Sequence, residues 1–191
     1  GGGALEAQVV HVEHLGGDGR LTVQNSGEIA AIEAASFRGA PFALRALDVP
    51  GHVSNTGEIT GDPEFGNGAD RIFNAGTIAG DIHTAIDAPT GSLSDRIENT
   101  GTIVGDIATG DETDWVINRG NIFGDLYLGT GNDTFDGRGG DLTGTVFLSG
   151  GADTVLIDKD GAQALGGGGL DTARLWASDV ELSQFERIML M

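Results

Sequence analysis

A short pattern that returns about every 19 or 20 residues constrains this chain more than any other feature. The pattern is D-x-Φ-x-N-x-G-x-Φ-x-G-D-Φ, where Φ is apolar, and residues 70–82, 95–107 and 114–126 match it without a gap. Partial copies lie on both sides, and the opening aspartate recurs at positions 70, 95, 114, 133, 153 and 171. A fixed period of this length predicts a solenoid in which each copy stacks on the next.

The residues inside each copy predict strands rather than helices. Apolar residues alternate with polar residues or glycine, which is the period of a β-strand. The Gly and Asn positions suit tight corners between strands. Three short strands per rung, with rungs stacked about 4.8 Å apart, make a single-stranded parallel β-helix. We expect an all-β chain with about eight rungs of 19–20 residues.

The chain is predicted to form one β-helix domain over residues 1–191. Residues 1–20 would be an N-terminal cap or first strand, residues 21–157 the repeats, and residues 158–191 the terminal rungs. Equivalent apolar residues should lie above one another in three files. These are Ile29, Ile59, Ile78, Ile103, Ile122 and Leu142; Ile82, Ile107, Leu126 and Val146; and Val23, Val53, Ile72, Ile97, Val116, Phe135 and Val155.

A file of asparagines is predicted at one corner of the rungs, where stacked amides bond to one another. It comprises Asn25, Asn55, Asn74, Asn99 and Asn118, and Arg138 is expected to replace Asn in the next copy. Two insertions interrupt the period, one over residues 34–45 and one between Ile82 and Asp95. Both are predicted at the corner just before the aspartate. In the first, Phe37, Phe42 and Leu44 would pack on the stack or engage a partner.

The composition excludes several classes of partner. The formal net charge is −19, from 29 acidic residues against 10 Lys and Arg, which disfavours nucleic acid and anionic membranes. No stretch of 18 apolar residues is present, so this segment is not expected to insert into a membrane, and no leader is visible. Cys is absent, which is compatible with the cytosol or with export in an unfolded state.

Three glycine-rich corners end in an aspartate, and these aspartates are the candidate metal ligands. The corners precede Asp133, Asp153 and Asp171, and they resemble the nonapeptide G-G-x-G-x-D-x-U-x of RTX proteins. The resemblance implies bound calcium, since Ca²⁺ prefers carboxylate and carbonyl oxygens. The copies are 20 and 18 residues apart instead of adjacent, which leaves a plain Asx-type turn as the alternative. His11 and His14 would face opposite sides of a strand, so we expect no metal there.

The repeat over residues 21–157 resembles the passenger domains of bacterial autotransporters and related surface adhesins. The segment from Asp171 to Leu190 is similar to the close of repeats in those proteins and in RTX-type secreted proteins. The resemblance implies a right-handed β-helix that is extracellular or displayed on the bacterial cell surface as a stalk or adhesive module. A host or cell-surface protein or glycan would be its partner.

Two other functions stay open from the sequence. Uncapped ends of a β-helix are unpaired strands, so self-association into fibres or a surface layer, with or without calcium, is the runner-up. A polysaccharide-active enzyme would need carboxylates clustered on one face. Two files of aspartate recur in every rung, which suits turn residues better than one catalytic centre. We therefore expect no catalytic residues and no bound cofactor other than calcium.

Overall fold

The computed structural model describes residues 11–14, 21–30, 42–46, 50–66, 68–85 and 93–191. These residues form 26 β-strands and no helix. In chain order the strands are β1 (His11–His14), β2 (Leu21–Asn25), β3 (Glu28–Ala30), β4 (Phe42–Ala46), β5 (Gly51–Asn55), β6 (Glu58–Thr60), β7 (Asp62–Phe65), β8 (Arg71–Asn74), β9 (Thr77–Ala79), β10 (Ile82–His83), β11 (Arg96–Asn99), β12 (Thr102–Val104), β13 (Ile107–Ala108), β14 (Trp115–Asn118), β15 (Asn121–Phe123), β16 (Leu126–Tyr127), β17 (Thr134–Asp136), β18 (Asp141–Leu142), β19 (Thr145–Phe147), β20 (Gly150–Gly151), β21 (Thr154–Ile157), β22 (Ala162–Leu165), β23 (Gly168–Gly169), β24 (Thr172–Leu175), β25 (Val180–Ser183) and β26 (Arg187–Leu190).

The strands stack into three long sheets, which confirms the parallel β-helix. Sheet 1 has the order β1-β2-β5-β8-β11-β14-β17-β21-β24-β26, sheet 2 the order β25-β22-β19-β16-β13-β10-β7-β4, and sheet 3 the order β18-β15-β12-β9-β6-β3. A short fourth sheet pairs β20 with β23. The described strands pair in parallel except β1, which lies antiparallel to β2. The stack has about seven turns.

The three predicted apolar files are confirmed by the strand register. Val23, Val53 and Ile72 pair in succession in sheet 1, and Ile82, Ile107 and Leu126 do so in sheet 2. The files continue through the remaining residues, with Leu142 closing the file of sheet 3. Almost all of these side chains are buried, and each buried aliphatic chain stabilises the fold by roughly 1.5–3 kcal/mol.

The predicted asparagine file is also confirmed. Each Nδ2 donates to the Oδ1 of the next asparagine, at 2.8 Å from Asn25 to Asn55 and 2.9 Å from Asn99 to Asn118. The file ends at Asn118, and Arg138 does not continue it. The offset between the paired residues changes from 19 at Asp136 to 20 at Asp141, so this copy has one extra residue between them. Arg138 instead bonds to Asp136, with its guanidinium 5.1 Å from the ring centre of Trp176.

The two insertions lie at different corners, contrary to the sequence-based expectation. Residues 31–41 fall between β3 of sheet 3 and β4 of sheet 2, whereas residues 86–92 fall between β10 of sheet 2 and β11 of sheet 1. Phe37 and the side chain of Phe42 lie outside the described residues. Leu44 is partly buried against the core, so the packing alternative holds for this residue.

The segment from Asp171 to Leu190 forms the final rung, as predicted. β26 pairs in parallel with β24, and Phe185 packs against the core. The apolar side chains of β26 are exposed to solvent, with Leu190 80% exposed. Within the described ranges, no helix has the length and apolar character of a membrane span.

Candidate functional site: two columns of aspartates

The repeated aspartates that open each copy lie inside the solenoid. Each directly precedes a strand of sheet 1, two residues before a core residue such as Ile72, so strand alternation points both side chains inward. Their exposure does not exceed 1%. We call this set the buried column: Asp70, Asp95, Asp114, Asp133, Asp153 and Asp171.

One oxygen of each buried carboxyl accepts a hydrogen bond from a backbone N–H of the neighbouring rung. The backbone N–H of Asp95 donates to Oδ1 of Asp114 at 2.7 Å, and the N–H of Asp114 donates to Oδ1 of Asp133 at 2.9 Å. The same bond repeats along the column. At its two ends, the N–H of Gly51 donates to Asp70 and that of Asp171 donates to Glu186. Each carboxyl therefore satisfies a backbone donor at a corner where the strand ladder has ended.

The second oxygen of every carboxyl in the buried column has no hydrogen-bond partner. All six Oδ2 atoms are buried without one. The hydroxyls of Thr84 and Thr109 lie close enough to Asp95 and Asp114 to influence them, but each hydroxyl donates to a backbone carbonyl. Because a buried anionic oxygen without a partner is unfavourable, we expect these Oδ2 atoms to bind a proton or a cation.

Burial raises the pKa values of five aspartates of this column, which are Asp70, Asp95, Asp114, Asp133 and Asp153. Loss of solvent raises the pKa of Asp95 to about 8 and that of Asp70 to about 7, against the opposing effect of the hydrogen bonds they accept. Burial likewise raises the pKa of Asp133 to about 7 and of Asp153 to about 6, and neighbouring aspartates add to the shift. The pKa of Asp114 is raised for the same first reason. Several of these groups therefore hold a proton near neutral pH.

A second set of aspartates has the same repeat but a different environment. The half-exposed column comprises Asp62, Asp81, Asp106 and Asp125, which lie just before or at the start of sheet 2 strands. Here the N–H of the later rung donates to the earlier one, as from Asp106 to Asp81 Oδ1 at 2.8 Å. Thr145 closes the column by donating to Asp125 at 2.7 Å. Among the described residues, no oxygen of this column is both buried and without a partner.

The three predicted calcium ligands, Asp133, Asp153 and Asp171, are consecutive members of the buried column. Their spacing of 20 and 18 residues is one turn of the solenoid, so their glycine-rich corners lie directly on one another. Thr130 bridges to Gly150, and β20 pairs with β23.

The backbone of these corners fits a cation that prefers oxygen. Gly131 and Gly151 have φ values of 148° and 145°, which side-chain-bearing residues rarely adopt. A Cβ on Gly151 would collide with the carbonyl oxygen of Gly131, and one on Gly131 would collide with that of Glu112. The carboxyl oxygens nearest these two glycines are Oδ1 of Asp133 and Oδ1 of Asp153. Carbonyl and carboxylate oxygens are of the kind that Ca²⁺ would take.

The structure does not gather the three aspartates around one point. In the part of the chain that is described, no three His, Asp or Glu side chains converge on a metal position. An ion at these corners would therefore draw on carboxylates of neighbouring rungs together with backbone carbonyls. The side chains of His11 and His14, on β1, lie outside the described residues.

Sequence reasoning missed the burial of the first aspartate column, although the pattern contained the signal. In D-x-Φ the aspartate and the apolar residue share one face of a strand, so both must point inward. The sequence also gave no indication that the second oxygens would lack partners. Comparisons with protein-family models, curated proteins and solved structures find no match for this chain.

Proposed function

We propose that this chain is a non-enzymatic β-helix module of a secreted or cell-surface protein, with a structural or adhesive role like that of autotransporter passengers. The observation that carries the proposal is the use of the repeated polar side chains. Asn amides and Asp carboxyls link neighbouring rungs. Nδ2 of Asn74 donates to Oδ1 of Asn99, and the backbone N–H of Asp95 donates to Oδ1 of Asp114. Polar groups used in this way support a stack rather than one reacting centre.

The half-exposed column is the strongest place to look for catalysis, and its geometry favours a structural role there too. Each of its carboxylates accepts a backbone N–H from the next rung. Glycosidases need one carboxyl as an acid and another as a base or nucleophile, set in different environments. Near-identical environments along a column do not separate these two roles.

The test is to offer the purified chain to panels of glycans and cell-surface proteins and to measure both binding and cleavage. We expect saturable binding with no change in the ligand. Cleavage of a glycan that disappears in Asp106→Asn, but persists in Asp141→Asn at an exposed surface position, would overturn the non-enzymatic proposal.

Self-association through the end of the stack is the second candidate. β26 lies at the edge of sheet 1, and Ile188, Leu190 and Met191 around it are 55%, 80% and 64% exposed. An open strand edge next to apolar side chains favours pairing with another chain. Sedimentation across a range of protein concentrations tests this candidate. Ordered polymers that Leu190→Lys abolishes, while exposed Leu93→Lys does not, would support assembly, whereas a monomer at all concentrations would exclude it.

Calcium at the corners before Asp133, Asp153 and Asp171 is part of the proposal, and it would follow the RTX-like pattern of these turns. The ion would replace the missing partners of the Oδ2 atoms and balance part of the charge of −19. Calorimetric titration with Ca²⁺ alone tests it, and we expect Mg²⁺ to bind less well because it demands a stricter octahedral geometry.

A further inference from the structure

Sheet 1 carries a cationic and aromatic patch on its outer face. The outward-pointing side chains of β5, β8, β11 and β14 form two rows across these four neighbouring strands. One row contains His52, Arg71, Arg96 and Trp115, and the other contains Ser54, Phe73, Glu98 and Ile117. A shallow groove of about 290 Å³ lies over β2, β5, β8 and β11 and is lined by both arginines, by Phe73 and by Glu98.

The repeat itself does not require arginine at this position. Arg71 and Arg96 follow the opening aspartate of their copies, and in later copies Thr134, Thr154 and Thr172 stand there. Like charges directly opposite each other on neighbouring strands are destabilising. Arg71 and Arg96 are in register on a chain that has only 10 Lys and Arg, which indicates a role other than stabilising the fold.

The two guanidiniums are placed to receive an anion. Arg71 forms no ion pair with any described residue. Nε of Arg96 donates to Glu98 at 2.6 Å, and no described residue accepts a bond from its two terminal nitrogens. Glu98 thereby orients the arginine and leaves its two terminal nitrogens without an acceptor among the described residues. A planar fork matches the two oxygens of a carboxylate.

Exposed aromatic rings flank the arginines. Phe73 is 41% exposed and Trp115 is 38% exposed, on the strands that carry or adjoin the pair. Sugar rings present C–H faces that pack on such apolar surfaces. From this combination of guanidinium pair, groove and aromatic platforms, we propose that the outer face of β8, β11 and β14 binds an acidic saccharide through its uronate carboxylates. The inference rests on the proposed adhesive function and names its ligand class.

The net charge of the chain requires the local contact to supply the binding. A net charge of −19 repels every polyanion at long range, and most strongly a heavily sulfated glycan. A uronate chain carries about one charge per sugar unit, which two guanidiniums on adjacent rungs can meet. Binding should weaken as salt rises, because the contact is largely exposed.

The test is calorimetric titration of the full chain with an oligogalacturonate, alongside a neutral gluco-oligosaccharide of equal length, dextran sulfate and single-stranded DNA. We expect the oligogalacturonate alone to bind. The double variant Arg71→Gln, Arg96→Gln should bind at least about tenfold more weakly, since hydrogen bonds between charged groups are lost. Arg174→Gln, on the same sheet outside the groove, should bind as the unsubstituted chain does.

The aromatic contribution has its own matched pair. Phe73→Ser should weaken oligogalacturonate binding several-fold, whereas Phe123→Ser, at an equally exposed ring on sheet 3, should not. Circular dichroism confirms that each variant folds, and Arg71→Gln alone replaces the double variant if that fails to fold. The proposal is overturned by absence of binding, by binding that ignores the arginines, or by equal binding of the neutral sugar, dextran sulfate or DNA.

The outcomes also separate this inference from the proposed function. Cleavage of the oligogalacturonate would overturn the non-enzymatic proposal and leave the binding face standing. Adhesion to cells or glycans that persists in the double variant, without any oligogalacturonate binding, would overturn the binding face alone.

Discussion

The two aspartate columns use the same residue at the same period, yet they have opposite relations to solvent. In the buried column one carboxyl oxygen accepts a backbone N–H and the other has no partner. In the half-exposed column one oxygen likewise accepts a backbone N–H, and no oxygen is left buried alone. Both columns make the same structural hydrogen bond, so what distinguishes them is the burial of the second carboxyl oxygen.

The largest expected effect is that stability falls as pH rises. The folded-state pKa values of Asp70, Asp95 and Asp133 lie above those of the unfolded chain, so only the folded state keeps these protons between about pH 4 and pH 8. Each such carboxyl removes about 1.4 kcal/mol of stability per pH unit in that window. Urea denaturation from pH 4 to pH 8 measures the slope, and Asp95→Asn should reduce it by one proton. A stability that increases with pH would contradict the comparison.

Alanine substitution in each column separates the two environments next. Asp114→Ala removes the acceptor of the Asp95 N–H inside the solenoid, and we expect it to destabilise by roughly 2–3 kcal/mol. Asp106→Ala removes a comparable acceptor at a half-exposed position where water can replace it, and about 1 kcal/mol or less should be lost. Urea denaturation of both variants at pH 5 compares the two losses. Equal losses would mean that burial does not distinguish the columns.

Calcium should act on one column only. At a Ca²⁺ concentration of ten times its Kd, the folded state should gain about 1.4 kcal/mol at pH 8, where Asp133 and Asp153 are largely ionised. Asp153→Asn should abolish the gain, and Asp106→Asn should retain it. Thermal melts with Ca²⁺ and with EDTA provide the measurement. A gain that survives Asp153→Asn would place the ion elsewhere.

The smallest expected effect on stability is at Asp136, and its pH dependence has the opposite sign to that of the buried column. Burial raises its pKa, but hydrogen bonds from Arg138 and Arg119 outweigh burial and hold the pKa well below its usual range. Its contribution is present above about pH 4 and lost as pH falls further. Because both arginines are more than one-third exposed, we expect Asp136→Asn to destabilise by only about 1 kcal/mol at pH 6. No difference between pH 6 and pH 2.5 would count against this pairing.

Much of the fold could be predicted from the repeat, because a period-2 pattern fixes which residues face inward. The file from Ile29 to Leu142 and the asparagine file follow directly from equal spacing. Positions where the spacing changes could not be placed in this way. One extra residue between Asp133 and Leu142 was enough to shift Arg138 out of register.

Less of the candidate site than of the fold could be predicted from the sequence. Spacing places Asp133, Asp153 and Asp171 at equivalent corners, but it does not reveal that their Oδ2 atoms lack partners. The arginine pair was visible only as two residues beside the aspartates. Its meaning depends on the register that sets Arg71 against Arg96 on an outer face, next to exposed rings.

The most direct test of the central claim is a carbon-13 NMR titration of the aspartate side-chain carboxyls in the calcium-free chain. The account predicts that Asp95, Asp70 and Asp133 lose their protons between about pH 6 and pH 8. If these three carboxyls titrate below pH 5, the buried column does not hold protons at neutral pH and the account is wrong.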